Sequence, residues 1–282
     1  MVTMGGRQLW ADRRWFMGYR IQRNVLTMHY RLLGRDDVRL AWGSLNECER
    51  VLEQIRVDSG LQTTEQHLVV LLHGLFRAKD AMGPLRRGLR SAGFIPAALN
   101  YPSTRRSLTR HAEQIEDVLN NLAVDPSLAS LRQVSFVTHS MGGLVARTLL
   151  GRPDAPWRQR LVPHRLLFIA TPNQGSTVAR ELGRSQAFHL IAGPGASQLT
   201  PERAHEVPPP NIPFGIIAGV RGDQRGYNPL LDGDDDMTVA KASTRLPGAE
   251  DVLDVKAVHT FVMRKAETVD ATIRYLNTGS FR

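Results

Sequence analysis

Along the chain, apolar and polar positions alternate between two periods. Short, largely apolar runs of four to seven residues, read as strands, stand at His67–Leu72, 94–99, 134–139, 165–170, 214–220 and 252–255. Between them lie segments with apolar residues three and four apart. One carries Leu108, Ala112, Ile115, Leu119 and Leu122; another carries Val262, Ala266, Val269, Ile273 and Leu276. The first spacing is that of a strand and the second that of one helix face. Strands continuous in apolar residues are covered on both sides, as in a parallel sheet. Strands alternating with helices predict βαβ units, with right-handed crossovers that put helices on both faces. The fold class is therefore α/β, with a mostly parallel central sheet.

Three regions depart from this rhythm. Residues 1–16 look irregular. Extended segments over 18–32 and 38–42, joined by Gly34-Arg35-Asp36-Asp37, predict a β-hairpin. Ser44 and Glu47 then form a capping box ahead of a helix bearing Leu45, Cys48, Val51, Leu52 and Ile55. We expect residues 1–66 to be a leader, hairpin and helix joined to the core, and 67–277 to be the core. A cap is expected over about 177–213, with a helix from 177 to 191, and a short tail over 278–282. The cap has no strand of its own and includes Pro208-Pro209-Pro210.

The site is expected at the carboxyl ends of the parallel strands, where loops gather. There the segment Val134–Gly143 runs from strand through a tight corner, Thr138-His139-Ser140-Met141-Gly142-Gly143, straight into a helix. Such a corner pushes a serine hydroxyl outward beside the free N–H groups of a helix start. The plain alternative is a serine that caps the helix. Thr138 stands where the usual G-x-S-x-G pattern has its first glycine.

A serine nucleophile needs a base, and the base needs an orienting acid. Of nine histidines, His259 follows the last strand and is placed to meet Ser140. Asp236 and Asp223 compete for the acid. Asp236 is preferred because it closes an acidic run where a polar loop returns to an apolar stretch, which anchors it. Backbone N–H groups of Leu75 and Met141 are the candidate oxyanion donors. His73, Phe76, His139, Phe188 and Leu190 are assigned tentatively to the pocket, with pocket lining or packing expected of His139 and loop-holding of His73.

Composition narrows the rest. Net charge is +9, and only Lys79, Lys241, Lys256 and Lys265 among 36 basic residues are lysine. The arginines are spread along the chain without a basic-aromatic module, so nucleic-acid binding is not expected; weak attraction to an anionic membrane surface is the milder alternative. Cys48 is the single cysteine, so no intrachain disulfide can form. No apolar run is long enough to span a bilayer, and no secretory signal is apparent, so a cytoplasmic location is expected. Asp234-Asp235-Asp236 lacks the spacing of a calcium loop, and no metal or other cofactor is expected.

Together, Leu71–Leu75, Thr138–Gly143, Ala170-Thr171-Pro172-Asn173-Gln174-Gly175-Ser176, Asp235–Val239 and His259 resemble the α/β-hydrolase superfamily in its lipase/esterase branch. The T-P-x-x-G-S piece is similar to that of bacterial triacylglycerol lipases and GPI inositol-deacylase-like lipases. The resemblance covers about residues 67–277. It implies an α/β-hydrolase fold with a small cap, and a Ser140–Asp236–His259 triad that cleaves a small-molecule ester or lipid through an acyl-enzyme. Met237 stands where that family carries glycine after the acid. Acyl transfer or thioester cleavage by the same triad, or a catalytically silent binding scaffold, are the rival readings.

Overall fold

The computed structural model describes residues 6–182 and 193–282. Six strands form one parallel sheet, and a separate four-stranded antiparallel sheet precedes it. The parallel strands are β5 (His67–Leu72), β6 (Ile95–Leu99), β7 (Gln133–His139), β8 (Val162–Ile169), β9 (Phe214–Val220) and β10 (Asp251–Lys256). Their spatial order is β10-β9-β8-β7-β5-β6. The expected apolar runs are these strands, and β5, β7 and β9 are buried almost throughout. Helices α2 (Gly83–Ser91), α3 (Leu108–Val124) and α4 (Met141–Leu150) connect the first strands. The closing helix, Ala266–Thr278, follows β10.

Two apolar cores flank the sheet. One joins Leu68, Val70, Phe136 and Leu144 to Trp15, Phe16, Ile21, Leu32 and Cys48 of the N-terminal region. The other joins Val69, Leu71 and Val137 to Leu85, Leu89, Tyr275 and Leu276. Because all six strands are parallel, the loops after them emerge at one edge.

The N-terminal region differs from expectation. Residues Trp10–Phe16 form a full strand, β1, where an irregular leader was expected. A register shift between Asp12 and Arg14 breaks its alternation, which hides the period-two signal. The segment expected to be one strand over 18–32 is two, β2 (Tyr19–Asn24) and β3 (Tyr30–Leu33). Asn24 divides them: its Oδ1 accepts from the N–H groups of Leu26 and Thr27, the local side-chain bonding that favours turns. With β4 (Arg39–Gly43) the sheet runs β1-β2-β3-β4. Helix α1 (Leu45–Ser59) covers one of its faces, and both reciprocal bonds of the Ser44–Glu47 capping box form. Such a cap contributes about 1 kcal/mol.

The helix expected over 177–191 is described only as α5, Thr177–Leu182. A further helix, Pro201–Glu206, lies in the same insertion. Val262, expected on the face of the closing helix, lies instead in a turn at Val262–Arg264, and the helix starts at Ala266. Phe281 beyond it is 3% exposed and packs on Tyr275. Among the described residues, no helix is long and apolar enough to cross a membrane.

Candidate active site

Strand β7 delivers Ser140 into a corner with φ 54° and ψ −127°. A non-glycine residue at positive φ is strained by about 1–2 kcal/mol and persists only where neighbours over-determine it. Here they do. Ser140 N–H donates to the Ile169 carbonyl at 3.0 Å, and its own carbonyl accepts from Gly143 N–H at 3.0 Å and from Thr171 Oγ1 at 3.1 Å. Its side chain makes no capping bond to α4.

Two glycines make the corner possible. A Cβ on Gly142 would stand 2.5 Å from the Leu72 carbonyl oxygen and 2.9 Å from that of His73. A Cβ on Gly143 would stand 2.3 Å from Thr171 Oγ1 and 2.4 Å from its Cγ2. The T-P-x-x-G-S segment is thus fitted against the serine corner. Thr138 is fully buried, and its hydroxyl donates to the Leu167 carbonyl at 3.0 Å. That bond occupies the space a first glycine would leave empty.

Ser140 Oγ lies 2.9 Å from His259 Nε2, and His259 Nδ1 lies 2.7 Å from Asp236 Oδ2. A carboxylate only accepts, so the Nδ1 proton donates to it. Nε2 then presents a lone pair to the serine hydroxyl. Asp236 is fully buried; its Oδ1 accepts from the N–H groups of Val239 at 2.7 Å and Thr238 at 3.0 Å. The His259 N–H in turn donates to the Asp236 carbonyl at 2.7 Å. His259 and Asp236 are therefore tied through backbone as well as side chain. Asp223 stands elsewhere: it pairs with Arg221 at 3.1 Å and accepts from Arg225 and Gly226 N–H groups. The neighbouring Asp234 and Asp235 also accept backbone N–H groups, at Arg221 and Gly222 and at Asn228 and Met237.

The N–H groups of Leu75 and Met141 have no acceptor among the described residues. Leu75 follows Gly74, whose Cβ would sit 2.9 Å from Ser140 Cβ and 3.4 Å from Oγ. The loop after β5 therefore approaches the serine closely because Gly74 lacks a side chain.

The structure places His73 in full burial, its ring stacked on Tyr101 at 4.1 Å. Nδ1 donates to the Gly74 carbonyl at 2.9 Å, and burial pulls its pKa down to about 4. His73 fixes the Gly74–Leu75 loop and does not face an open pocket. His139 is also buried; its Nε2 donates to the His259 carbonyl at 3.0 Å. Burial first, then the nearby His259, holds its pKa well below the usual value. Phe76 is half exposed, at φ 58°. Phe188 and Leu190 lie outside the described residues.

Several supporting residues carry no sequence signal. Arg77 Nη2 donates to Thr260 Oγ1 at 2.8 Å, beside His259, and the Arg77 carbonyl accepts from Gln8 Nε2. Ser103 Oγ donates to Gln8 Oε1 at 2.9 Å. The N-terminal segment thus braces the loops after β5 and β6. Buried Arg147 on α4 donates to the carbonyls of Asn173, Val207 and Pro208, joining the helix after Ser140 to the T-P-x-x-G-S segment and to the insertion.

Solved structures share this architecture. The mature lipase BlEst2 of Bacillus licheniformis aligns with a TM-score of 0.59 at 15% identity, over 78% of this chain and 94% of its own. The chain has the α/β-hydrolase fold. Phospholipase PlaB of Legionella pneumophila (TM-score 0.58, 15% identity) matches over 76% of this chain and 60% of its own length. A monoacylglycerol lipase of Paleococcus ferrophilus (TM-score 0.52, 18% identity) matches over 78% and 97%. At these identities the likeness is one of fold. A family model described as "Putative serine esterase (DUF676)" matches residues 62–190 of this chain. That span holds Leu75, Ser140 and Met141 and ends before Asp236 and His259. No curated protein matches by sequence.

Proposed function

We propose that this protein is a serine hydrolase of carboxylic esters. The observation that carries the reading is the continuous chain of hydrogen-bond distances, 2.9 Å from Ser140 Oγ to His259 and 2.7 Å from His259 to Asp236, at a strained corner flanked by two unengaged N–H groups. In this reading His259 Nε2 takes the serine proton as Oγ attacks the ester carbonyl. Asp236 holds the tautomer and stabilises the imidazolium that forms. The N–H groups of Leu75 and Met141 receive the developing oxyanion, a contribution of about two orders of magnitude or more per donor. His259 then protonates the leaving alcohol, and water resolves the acyl-enzyme by the same proton relay. His73, His139 and Gly74 act by positioning.

The loops that carry these groups each expose an apolar side chain: Phe76 after Leu75, Met237 after Asp236 and Phe261 after His259, 49%, 53% and 50% exposed. An apolar rim of this kind suits acyl chains or lipid esters over sugars and peptides. The names of the structural neighbours and of the family model agree with an ester substrate. The test is hydrolysis of a p-nitrophenyl ester series of increasing acyl length by wild type and Ser140→Ala. The reading requires turnover abolished in the variant and a chain-length preference that changes in Phe76→Ser and Phe261→Ser. Equal turnover by wild type and Ser140→Ala would sink it.

A further inference from the structure

The outer face of the N-terminal sheet, opposite α1, carries a row of residues that the ester chemistry does not use. In register across the four strands stand Asp12, Gln22, Arg31 and Trp42. Directly opposite residues on antiparallel strands share one face. The row runs from a fully buried carboxylate to an indole that is 67% exposed. Gln22 Nε2 donates to Asp12 Oδ1 at 2.7 Å, and Arg31 donates to Gln22 Oε1 from Nε at 3.0 Å and Nη2 at 2.8 Å. The Arg31 guanidinium lies 3.7 Å over the Trp10 ring.

Beside this row is a recess of about 300 Å³ lined by Arg7, Arg20, Arg31, Lys79 and the carboxylates of Asp37 and Asp80. Four basic side chains stand there against the carboxylates of Asp37 and Asp80, with the buried Asp12 carboxylate behind them. Asp37 pairs with Arg20 and Lys79, and Asp80 with Arg7 and Lys79. Arg20 is 3% exposed, and its Nη1 has no partner among the described residues. A buried guanidinium N–H without an acceptor is costly, and a phosphate oxygen is the acceptor it fits best. Cation crowding is also visible at Lys79: burial, then Arg20, with Arg86 and Arg7 adding, pulls its ammonium down to about 7 despite Asp12. Asn100, at the carboxyl end of β6, lines the same recess, so it opens on the sheet edge that bears Ser140.

The same sheet exposes apolar side chains. Trp42 and Leu40 on edge strand β4, Val38 before it, and Leu26 and Met28 in the β2–β3 turn are each 45–67% exposed. Exposed Arg39 and the chain's net charge of +9 accompany them. Tryptophan and aliphatic residues beside arginines are the composition of a surface that enters the headgroup region of an anionic bilayer.

We propose that this face docks onto an anionic phospholipid surface, with a lipid phosphate seated among Arg7, Arg20, Arg31 and Lys79 while Trp42, Leu40, Leu26 and Met28 enter the interface. The inference does not rest on the hydrolase reading and stands even if Ser140 is inert. Docking in this pose brings the sheet edge with Phe76 and Phe261 towards the lipid.

The experiment is co-sedimentation of the full chain with vesicles. One set is phosphatidylcholine alone, and the other about three parts phosphatidylcholine to one part phosphatidylglycerol. Variants are Arg31→Gln/Lys79→Gln, Arg7→Gln as a mild single change at an exposed side chain, Trp42→Ser, and Arg132→Gln as a charge-matched control at the amino end of β7. Melting curves of each variant, with and without inorganic phosphate at constant ionic strength, run alongside. Binding should be confined to the anionic vesicles. It should weaken about fivefold in Arg7→Gln and tenfold or more in Arg31→Gln/Lys79→Gln, at about one surface charge each. Trp42→Ser should weaken it several-fold, and Arg132→Gln less than twofold. An equal loss in Arg132→Gln would overturn the site in favour of diffuse charge. Phosphate-dependent stabilisation lost in Arg31→Gln/Lys79→Gln, without vesicle binding, would overturn the lipid source and leave a free-phosphate site. No response to either probe would overturn both.

Discussion

Gly142→Ala isolates the geometry of the serine corner from its chemistry. The new Cβ would meet backbone on the far side, 2.5 Å from the Leu72 carbonyl oxygen and 2.9 Å from that of His73. Neither atom belongs to a side chain that can turn away. Restoring an ordinary contact of 3.4 Å moves α4 and β5 apart by roughly 0.9 Å, enough for a misplacement of reacting groups to cost about a hundredfold in rate. The overpacking itself costs about 1–3 kcal/mol. Gly143→Ala is the informative contrast, because its Cβ would meet the Thr171 side chain at 2.3 and 2.4 Å. Thr171→Ala removes both atoms, although it loses the bond to the Ser140 carbonyl, worth about 1 kcal/mol. The Gly143→Ala/Thr171→Ala pair should therefore be less destabilised than the sum of its singles by about 1–2 kcal/mol. Gly142→Ala/Thr171→Ala should be additive within about 0.5 kcal/mol. Urea denaturation gives the stabilities and ester kcat/KM the rates. Gly142→Ala with wild-type stability and turnover, or an additive Gly143/Thr171 pair, would refute the packing argument.

Three further outcomes follow from the same contacts. Asp236→Asn should keep the fold yet lower kcat by about three to four orders of magnitude, because an amide stabilises the wrong His259 tautomer; initial rates on a short-chain ester measure this. Met237, at φ 83° and half exposed, should gain up to about 1 kcal/mol on replacement by Gly, and a thermal melt that falls instead would deny the strain. Burial lowers His73 to about 4 and His111 to about 3, so between those values and about 6.5 the unfolded chain binds protons that the folded chain does not. Stability is then full above about pH 6.5 and falls as pH drops. The loss is about 2 kcal/mol for each of the two by pH 5, and urea midpoints at pH 7.5 and 5 that coincide would contradict it.

What could be read from residue order is what local pattern controls. β5 and β9 announce themselves because both faces are covered, which leaves no polar position after His67 in the first and none in the second. Ser140 was visible because a strand, a corner and a helix follow one another without a break. His259 was singled out by standing beyond the last strand. Asp236 was separable from Asp223 only by an argument about anchoring, which matches its two backbone N–H partners. Other features depend on contacts between distant segments. Asp12 receives the Asn100 N–H, and Gln8 links Arg77 to Ser103, yet nothing near residues 8–12 in sequence reports loops ninety residues away. β1 was missed because its bulge scrambles the alternation, and the second strand break because a single side chain, Asn24, makes the turn. The bond from Thr138 to Leu167 turned an apparent departure from the elbow pattern into a packing solution that only the neighbouring strand reveals.

The central claim is that Ser140 is an activated nucleophile served by His259. Its most direct test is reaction of the intact protein with a fluorophosphonate, read by whole-protein mass and peptide mapping, with Ser140→Ala and His259→Ala alongside. The account predicts one adduct per chain, on Ser140, absent in Ser140→Ala and slowed by orders of magnitude in His259→Ala. A folded wild-type protein that takes no adduct, or an adduct that forms equally fast without His259, would contradict it.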